Sequence, residues 1–221
     1  MAPPRHVSPT GDPRFPRCTA AVVAVALLAS FAPGFAARLV YERGAIEAGE
    51  LWRLASAHLV HEWPRLALFD LGALFVLGAW LERRGRTLLV ATLAAAASLA
   101  SAAVWFLRAD LDRYQGASAL VAGVLVAAAV TAIVDRSRER VLALALLGAW
   151  IAKTCAELAG VWPAAWSPVP AGVESVAAAH AAGGLAGAGA ALIWRVARRA
   201  PDSSASPEAG SHSHAAPGRF S

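Results

Sequence analysis

Two side chains in this sequence have types and settings suited to breaking a covalent bond. Ser118 lies in Tyr114-Gln115-Gly116-Ala117-Ser118, where a charged loop turns into an apolar run, and His180 lies 62 positions later inside another such run. A hydroxyl and an imidazole form a nucleophile and its base, the pair that acyl transfer and hydrolysis require. Both are costly to keep within membrane-type segments unless they perform a task. The pattern points to an intramembrane serine hydrolase. Each residue also has a plain structural reading: a serine in a spanning helix most often hydrogen-bonds its own backbone, and a lone histidine can be a packed polar group.

Other ionisable residues interrupt the apolar runs: Asp70, Lys153 and Glu157. Lys153 and Glu157 are spaced i,i+4, which reads as a mutually neutralising structural pair that makes a charged helix tolerable. Asp70, Lys153, Glu157 and His180 could instead form a proton or ion path, as in a small transporter, but that reading leaves Ser118 unused. His212 and His214 resemble a weak metal-binding pair, yet two histidines lack a third ligand and a fixed geometry. No metal and no cofactor is expected.

Composition identifies the solvent of the elements that must carry these residues. Of 221 residues, 57% are hydrophobic and 16% charged, and mean hydropathy is +0.51, whereas soluble domains carry about 25% charged residues. Six apolar runs, about 19–39, 64–82, 87–107, 117–134, 141–160 and 174–194, each approach the ~20 residues that span a hydrocarbon core. The formal charge of +5 is almost entirely arginine, with Lys153 the only lysine. Arginines cluster before the first run, between the second and third, between the fourth and fifth, and after the sixth. That alternation is an orientation signal placing both termini in the cytoplasm, and it argues against a nucleic-acid partner. Trp52, Trp63, Trp162 and Trp166 sit on the opposite connections and fit an interfacial belt.

The expected organisation is a cytoplasmic segment over 1–18, a membrane domain over 19–196 and a disordered Ser-, Ala-, Pro- and Gly-rich tail over 197–221. The first run could alternatively be a signal peptide, although it is long for one. Cys18 and Cys155 do not suggest a disulfide framework.

Depth arithmetic tests whether the polar residues can meet. At ~1.5 Å per residue from the nearest cytoplasmic arginine, Ser118 lies ~27 Å deep, His180 ~22 Å, Asp70 and Lys153 ~20 Å, and Glu157 ~26 Å. All fall in the outer half of a core about 30 Å thick, which implies a water-holding cavity open to the outside.

From Gly49 to Trp194 the chain resembles the rhomboid intramembrane serine proteases. The resemblance is carried by Gly116-Ala117-Ser118, by His180 with Gly183 and Gly187, by the loop Gly49-Glu50-Leu51-Trp52-Arg53-Leu54 and by Leu77-Gly78-Ala79-Trp80-Leu81-Glu82. It implies an all-α membrane protein, a six-transmembrane-helix rhomboid-like bundle, in which Ser118 attacks the scissile carbonyl and His180 moves the proton. That is a dyad with no third carboxylate. It also implies oxyanion support from the start of the helix at Ser118, with Gly116 admitting the substrate backbone. The family commonly carries His-x4-His-x3-Asn here; aligned on His61, this chain has Leu66 and Asp70. Leucine cannot donate a hydrogen bond and an ionised aspartate would repel an oxyanion, while a carboxylic acid that keeps its proton can donate. A second departure is Ala119, where the family often has glycine.

The compact form and the Lys153-x3-Glu157 pair look most like the rhombosortase branch, bacterial inner-membrane members associated with removal of C-terminal glycine-glycine sorting signals. The partners so implied are a transmembrane protein substrate and the lipid bilayer. The competing expectation, motivated by Leu66 and Asp70, is a rhomboid-like pseudoprotease that binds transmembrane helices without cutting them.

Overall fold

The computed structural model describes residues 15–32, 34–162 and 175–199. Of the expected tail over 197–221, residues 197–199 continue the last helix (Ala177–Arg199), and residues 200–221 with His212 and His214, the first fourteen residues and Trp166 lie outside the described residues.

The order of elements is α1 (Arg17–Phe31), α2 (Ala36–Leu39), β1 (Tyr41–Glu42), α3 (Arg43–Glu47), α4 (Arg53–Ser56), a 3-10 turn (Ala57–Leu59), α5 (Pro64–Arg84), α6 (Arg86–Leu107), β2 (Arg113–Tyr114), α7 (Ser118–Val134), α8 (Arg140–Leu158) and α9 (Ala177–Arg199). Four of these helices, α5, α6, α8 and α9, are long and apolar enough to cross a bilayer. The chain is a multi-pass, helical membrane protein.

The apolar runs do not all become spans of equal length, so the six-span count is not met by length among the described residues. The first run breaks early: α1 has 15 residues and ends at Ala32, whose φ of −73° and ψ of 125° are extended. A proline follows Ala32 in sequence, and the residue before proline is pushed out of the helical region. α7 has 17 residues, about 25 Å of helix, shorter than a core about 30 Å thick.

α7 is the centre of the bundle and packs against α5, α6, α8 and α9. Its buried residues are mostly alanine, glycine and valine, so neighbouring backbones come close where lipid removes the hydrophobic drive between helices. The closest approach is to α9. A Cβ placed on Gly183 would strike the carbonyl of Ala119, and one on Gly187 the carbonyl of Gly123. α8 is the opposite case, burying only Ala143 and Thr154 and leaving most of its apolar surface for lipid.

Charges tie one end of the bundle together. Arg84 at the end of α5 lies 3.8 Å from Asp135 and 3.5 Å from Glu139, and Arg195 of α9 pairs with the same Asp135. Glu82 reaches across to α1, whose first helical residues have no capping side chain of their own. Its carboxylate accepts from Cys18 N at 3.0 Å, Thr19 N at 2.9 Å and Thr19 Oγ1 at 2.8 Å. Gly78, one turn earlier, leaves the space that Thr19 fills; a Cβ there would lie 2.8 Å from Thr19 Cγ2. These two contacts account physically for the glycine and glutamate of Leu77-Gly78-Ala79-Trp80-Leu81-Glu82.

At the other end the connection between α1 and α5 folds into a compact layer. Arg53 is 7% exposed; its guanidinium donates to the carbonyls of Ala37 at 3.0 Å and Val40 at 2.8 Å and pairs with Glu50 at 2.6 Å. The Trp52 indole donates to Arg38 O at 3.2 Å. The Trp-Arg dipeptide thus braces this layer. β1 and β2 form a two-residue antiparallel ladder, Tyr41 opposite Tyr114 and Glu42 opposite Arg113. It is the one departure from an all-helical fold among the described residues, and it anchors the chain four residues before Ser118.

Candidate active site

Ser118 is the first residue of α7, and the turn before it depends on glycine. Gly116 has φ +113°, a left-handed conformation that side chains disfavour. Its N–H donates to Ala57 O at 3.0 Å, which fastens the turn to the layer beneath. Ala117 then begins the helix without offering a side-chain cap. The first N–H groups of α7 lack intrahelical acceptors and point outward at the serine, where negative charge is favoured.

His180 lies on α9, on the face that also carries Gly183 and Gly187, because residues three and seven apart share a helix face. The glycines let α9 close on α7 near Ala119 and Gly123. That approach brings His180 Nε2 to 2.9 Å from Ser118 Oγ, a hydrogen-bond distance. His180 is 9% exposed. Ala119 is fully buried, with its carbonyl against Gly183, so its methyl is accommodated away from that contact.

The other face of the imidazole is occupied too. His180 Nδ1 lies 3.0 Å from Glu157 Oε2, while Lys153 Nζ and Ser175 Oγ lie 2.6 Å and 2.7 Å from Glu157 Oε1. The i,i+4 contact between Lys153 and Glu157 is present, and the same carboxylate reaches the histidine, a contact that the pairing argument alone did not include. Depth was the signal for it: counted by residue rise, Glu157 falls within ~1 Å of Ser118.

His61 and Asp70 meet behind the serine. His61 is 1% and Asp70 5% exposed, and His61 Nε2 lies 3.3 Å from Asp70 Oδ2. The same nitrogen lies 3.2 Å from the N–H of Ala117, whose only role toward it is donor. Asp70 Oδ2 also stands 3.8 Å from the position a Gly116 Cβ would take, on the wall of the turn. Leu66, on the first turns of α5, is only partly buried.

Two aromatic-layer residues at the site went unnoticed in the sequence. Tyr114 is buried, its ring 5.5 Å from His58 and 6.4 Å from Tyr41, both edge-on. Burial first and the Asp70 charge second push its hydroxyl above the ordinary tyrosine range, and Ser118 partly offsets this, although the hydroxyl makes no hydrogen bond of ordinary geometry. His58 is fully buried, with Nε2 3.2 Å from Ala97 O and 3.0 Å from Ser101 Oγ. The one available signal was proximity in sequence to Ser118 for Tyr114 and to His61 for His58.

Among the described residues no group of three or more His, Cys, Asp or Glu side chains is placed to hold a metal ion.

A serine hydroxyl at a helix start and an imidazole in contact with it, held in a bundle of apolar helices, belong to a multi-pass helical membrane protein. Residues 48–197 match the Rhomboid domain, which covers more than half of the chain, and the protein therefore belongs to the rhomboid family, whose members are generally serine intramembrane proteases. No curated protein matches the chain.

Proposed function

We propose that this protein is an active intramembrane serine endopeptidase that cleaves transmembrane segments near the outer face of a bacterial inner membrane, as a six-span bundle with both termini cytoplasmic. The observation that carries the reading is the 2.9 Å contact between Ser118 Oγ and His180 Nε2. In this mechanism Ser118 attacks the scissile carbonyl carbon as His180 takes the hydroxyl proton. His180 then gives that proton to the leaving amine as the C–N bond breaks, and a water molecule repeats the cycle to release the acyl group. The N–H groups of the first turn of α7 stabilise the oxyanion, with Gly116, Asp70 and His61 as its support. Resemblance to the rhombosortase branch extends the proposal to C-terminal glycine-glycine sorting signals as substrates.

The test is labelling of purified protein in detergent with a fluorophosphonate probe, comparing wild type with Ser118→Ala and His180→Ala. Wild type labels and neither variant does; equal labelling of all three ends the protease reading.

A second reading, a helix-binding pseudoprotease, is favoured by Leu66 and Asp70, where the family's histidine and asparagine would donate. Losing one oxyanion donor costs around 10²- to 10³-fold in rate, which slows such an enzyme without abolishing its chemistry. Retained binding of a transmembrane peptide with no Ser118-dependent labelling is the result that selects this reading.

A further inference from the structure

We propose that Glu157 is a positioning residue that turns the Ser118–His180 pair into a Ser–His–Glu triad, with Lys153 and Ser175 holding the carboxylate in place. The proposal rests on the protease reading and deepens it.

The geometry distributes the two carboxylate oxygens unequally. Oε1 receives both Lys153 Nζ at 2.6 Å and Ser175 Oγ at 2.7 Å. Among the described residues, Oε2 faces only His180 Nδ1, at 3.0 Å. Charge neutralisation of a lysine requires no more than the first oxygen, so the contact to the histidine is additional to anything the ion pair needs. Ser175 belongs to a different part of the chain from Lys153, just before α9, and its hydroxyl is a second donor that restrains the carboxyl group. The Glu157 side chain is 5% exposed and that of His180 11%, so little water competes for Oε2.

That arrangement determines which imidazole nitrogen carries the proton. An ionised carboxylate only accepts, so a hydrogen bond between Glu157 and Nδ1 requires Nδ1–H. The lone pair is then on Nε2, 2.9 Å from the Ser118 hydroxyl, where a general base needs it. In the opposite tautomer Nε2–H would point at Ser118 and the serine could not lose its proton to it. When Ser118 attacks, its proton moves to Nε2, and the imidazolium that forms lies against a carboxylate already held by two donors. The Glu157 carboxylate takes up no proton at any step; it orients the ring and offsets the transient positive charge. Its position on α8, the helix least buried in the bundle, means that the docking of α8 against α9 completes the site.

The experiment measures peptide cleavage and fluorophosphonate labelling for wild type, Glu157→Gln, Glu157→Asp, Glu157→Ala and Lys153→Met. Alongside these, ¹⁵N-histidine NMR is recorded, with the His180 signal assigned by its loss in His180→Asn. Removing the carboxylate charge should lower kcat by about 10²- to 10⁴-fold, with KM within about threefold and the thermal midpoint unchanged. Glu157→Asp should recover at least about tenfold over Glu157→Ala, a rescue that a packing role does not supply. The His180 signal should be that of the Nδ1–H tautomer in wild type and change in Glu157→Gln. A Glu157→Gln enzyme with kcat and KM within about threefold of wild type overturns the proposal and leaves Glu157 as a counter-charge for Lys153. An Nε2–H tautomer at His180 in wild type overturns it whatever the kinetics. Absence of Ser118-dependent labelling in wild type is a separate failure, that of the protease reading, and the tautomer then decides the positioning role by itself.

Discussion

The backbone of Gly183 on α9 meets the carbonyl oxygen of Ala119 on α7 with no space for a side chain between them. Because Ala119 follows Ser118 and Gly183 lies three residues after His180, this contact sets the separation of the two side chains. Gly183→Ala and Gly187→Ala should each push α9 away. The expected cost is about 1–3 kcal/mol of stability, as for other overpacked interfaces, with labelling of Ser118 falling further than the folded fraction does. Gly189 is the control, since none of the described residues lies within 4 Å of a Cβ there; Gly189→Ala should leave thermal midpoint and labelling unchanged. Equal behaviour of all three variants would remove the glycine face from the account of the site.

Glu82 is expected to matter for stability and not for chemistry. It supplies the acceptors for the first N–H groups of α1, at 2.9 and 3.0 Å, from the end of the bundle away from Ser118. Loss of such a cap costs about 0.5–2 kcal/mol, so Glu82→Ala should lower the thermal midpoint while the labelling rate per folded molecule stays within about twofold of wild type. A loss of labelling at full stability would assign Glu82 a role that its contacts do not suggest.

How far the sequence discloses this site depends on which forces hold each part. The apolar runs and their lengths follow from hydrocarbon thickness, so α5, α6, α8 and α9 fall within a few residues of the runs at 64–82, 87–107, 141–160 and 174–194. The first run yields a helix shorter than its hydropathy suggests, because a proline inside an apolar stretch has little effect on hydropathy while it changes the backbone of the residue before it. Ser118 and His180 were legible because a polar group in an apolar run is conspicuous. Glu157 was also conspicuous, but its i,i+4 neighbour Lys153 offered a sufficient local partner. The contact to His180 comes from another helix, and only depth hinted at it. Tyr114 and His58 have no signal in the sequence beyond their nearness to Ser118 and His61. Their role is to fill the layer under the Gly116 turn, and aromatic packing across a two-residue ladder leaves no periodic trace.

At Asp70, substitutions separate a donor from a charge. Asp70→Asn keeps a group able to donate toward His61 Nε2 or toward an oxyanion, so cleavage activity should be preserved or raised. Asp70→Ala removes the group and should lower kcat by about 10²- to 10³-fold, the cost of one oxyanion donor, with KM little changed. Leu66→His, which adds the donor the family carries at that position, should raise kcat. A collapse of activity in a folded Asp70→Asn protein would mean that the carboxyl group itself, through its contact with His61, is needed in a way an amide cannot replace.

His58 makes the fold sensitive to acid in a defined window. Burial is the largest cause that lowers its pKa from 6.5 to about 4, outweighing the opposing hydrogen bonds to the backbone at Ala97 and Gly116. Above pH 6.5 the ring is neutral in both the folded and the unfolded chain, and its contribution is fully present. Between pH 6.5 and about 4 the unfolded chain takes up a proton that the folded chain refuses, so stability falls as pH falls, by up to about 1.4 kcal/mol per pH unit. Below about 4 the folded ring is protonated as well and the loss levels off. Carboxylates across the molecule titrate at the low end of the same range, so the informative quantity is the difference between wild type and His58→Gln, whose amide can still donate to Ala97 O. Thermal midpoints in detergent at pH 7.5, 6, 5 and 4.5 should converge or cross, with wild type losing more than the variant between 6.5 and 4.5. Parallel loss in both proteins would show that His58 is not the acid-sensitive group, and that the layer beneath the Gly116 turn tolerates charge which its burial says it should not.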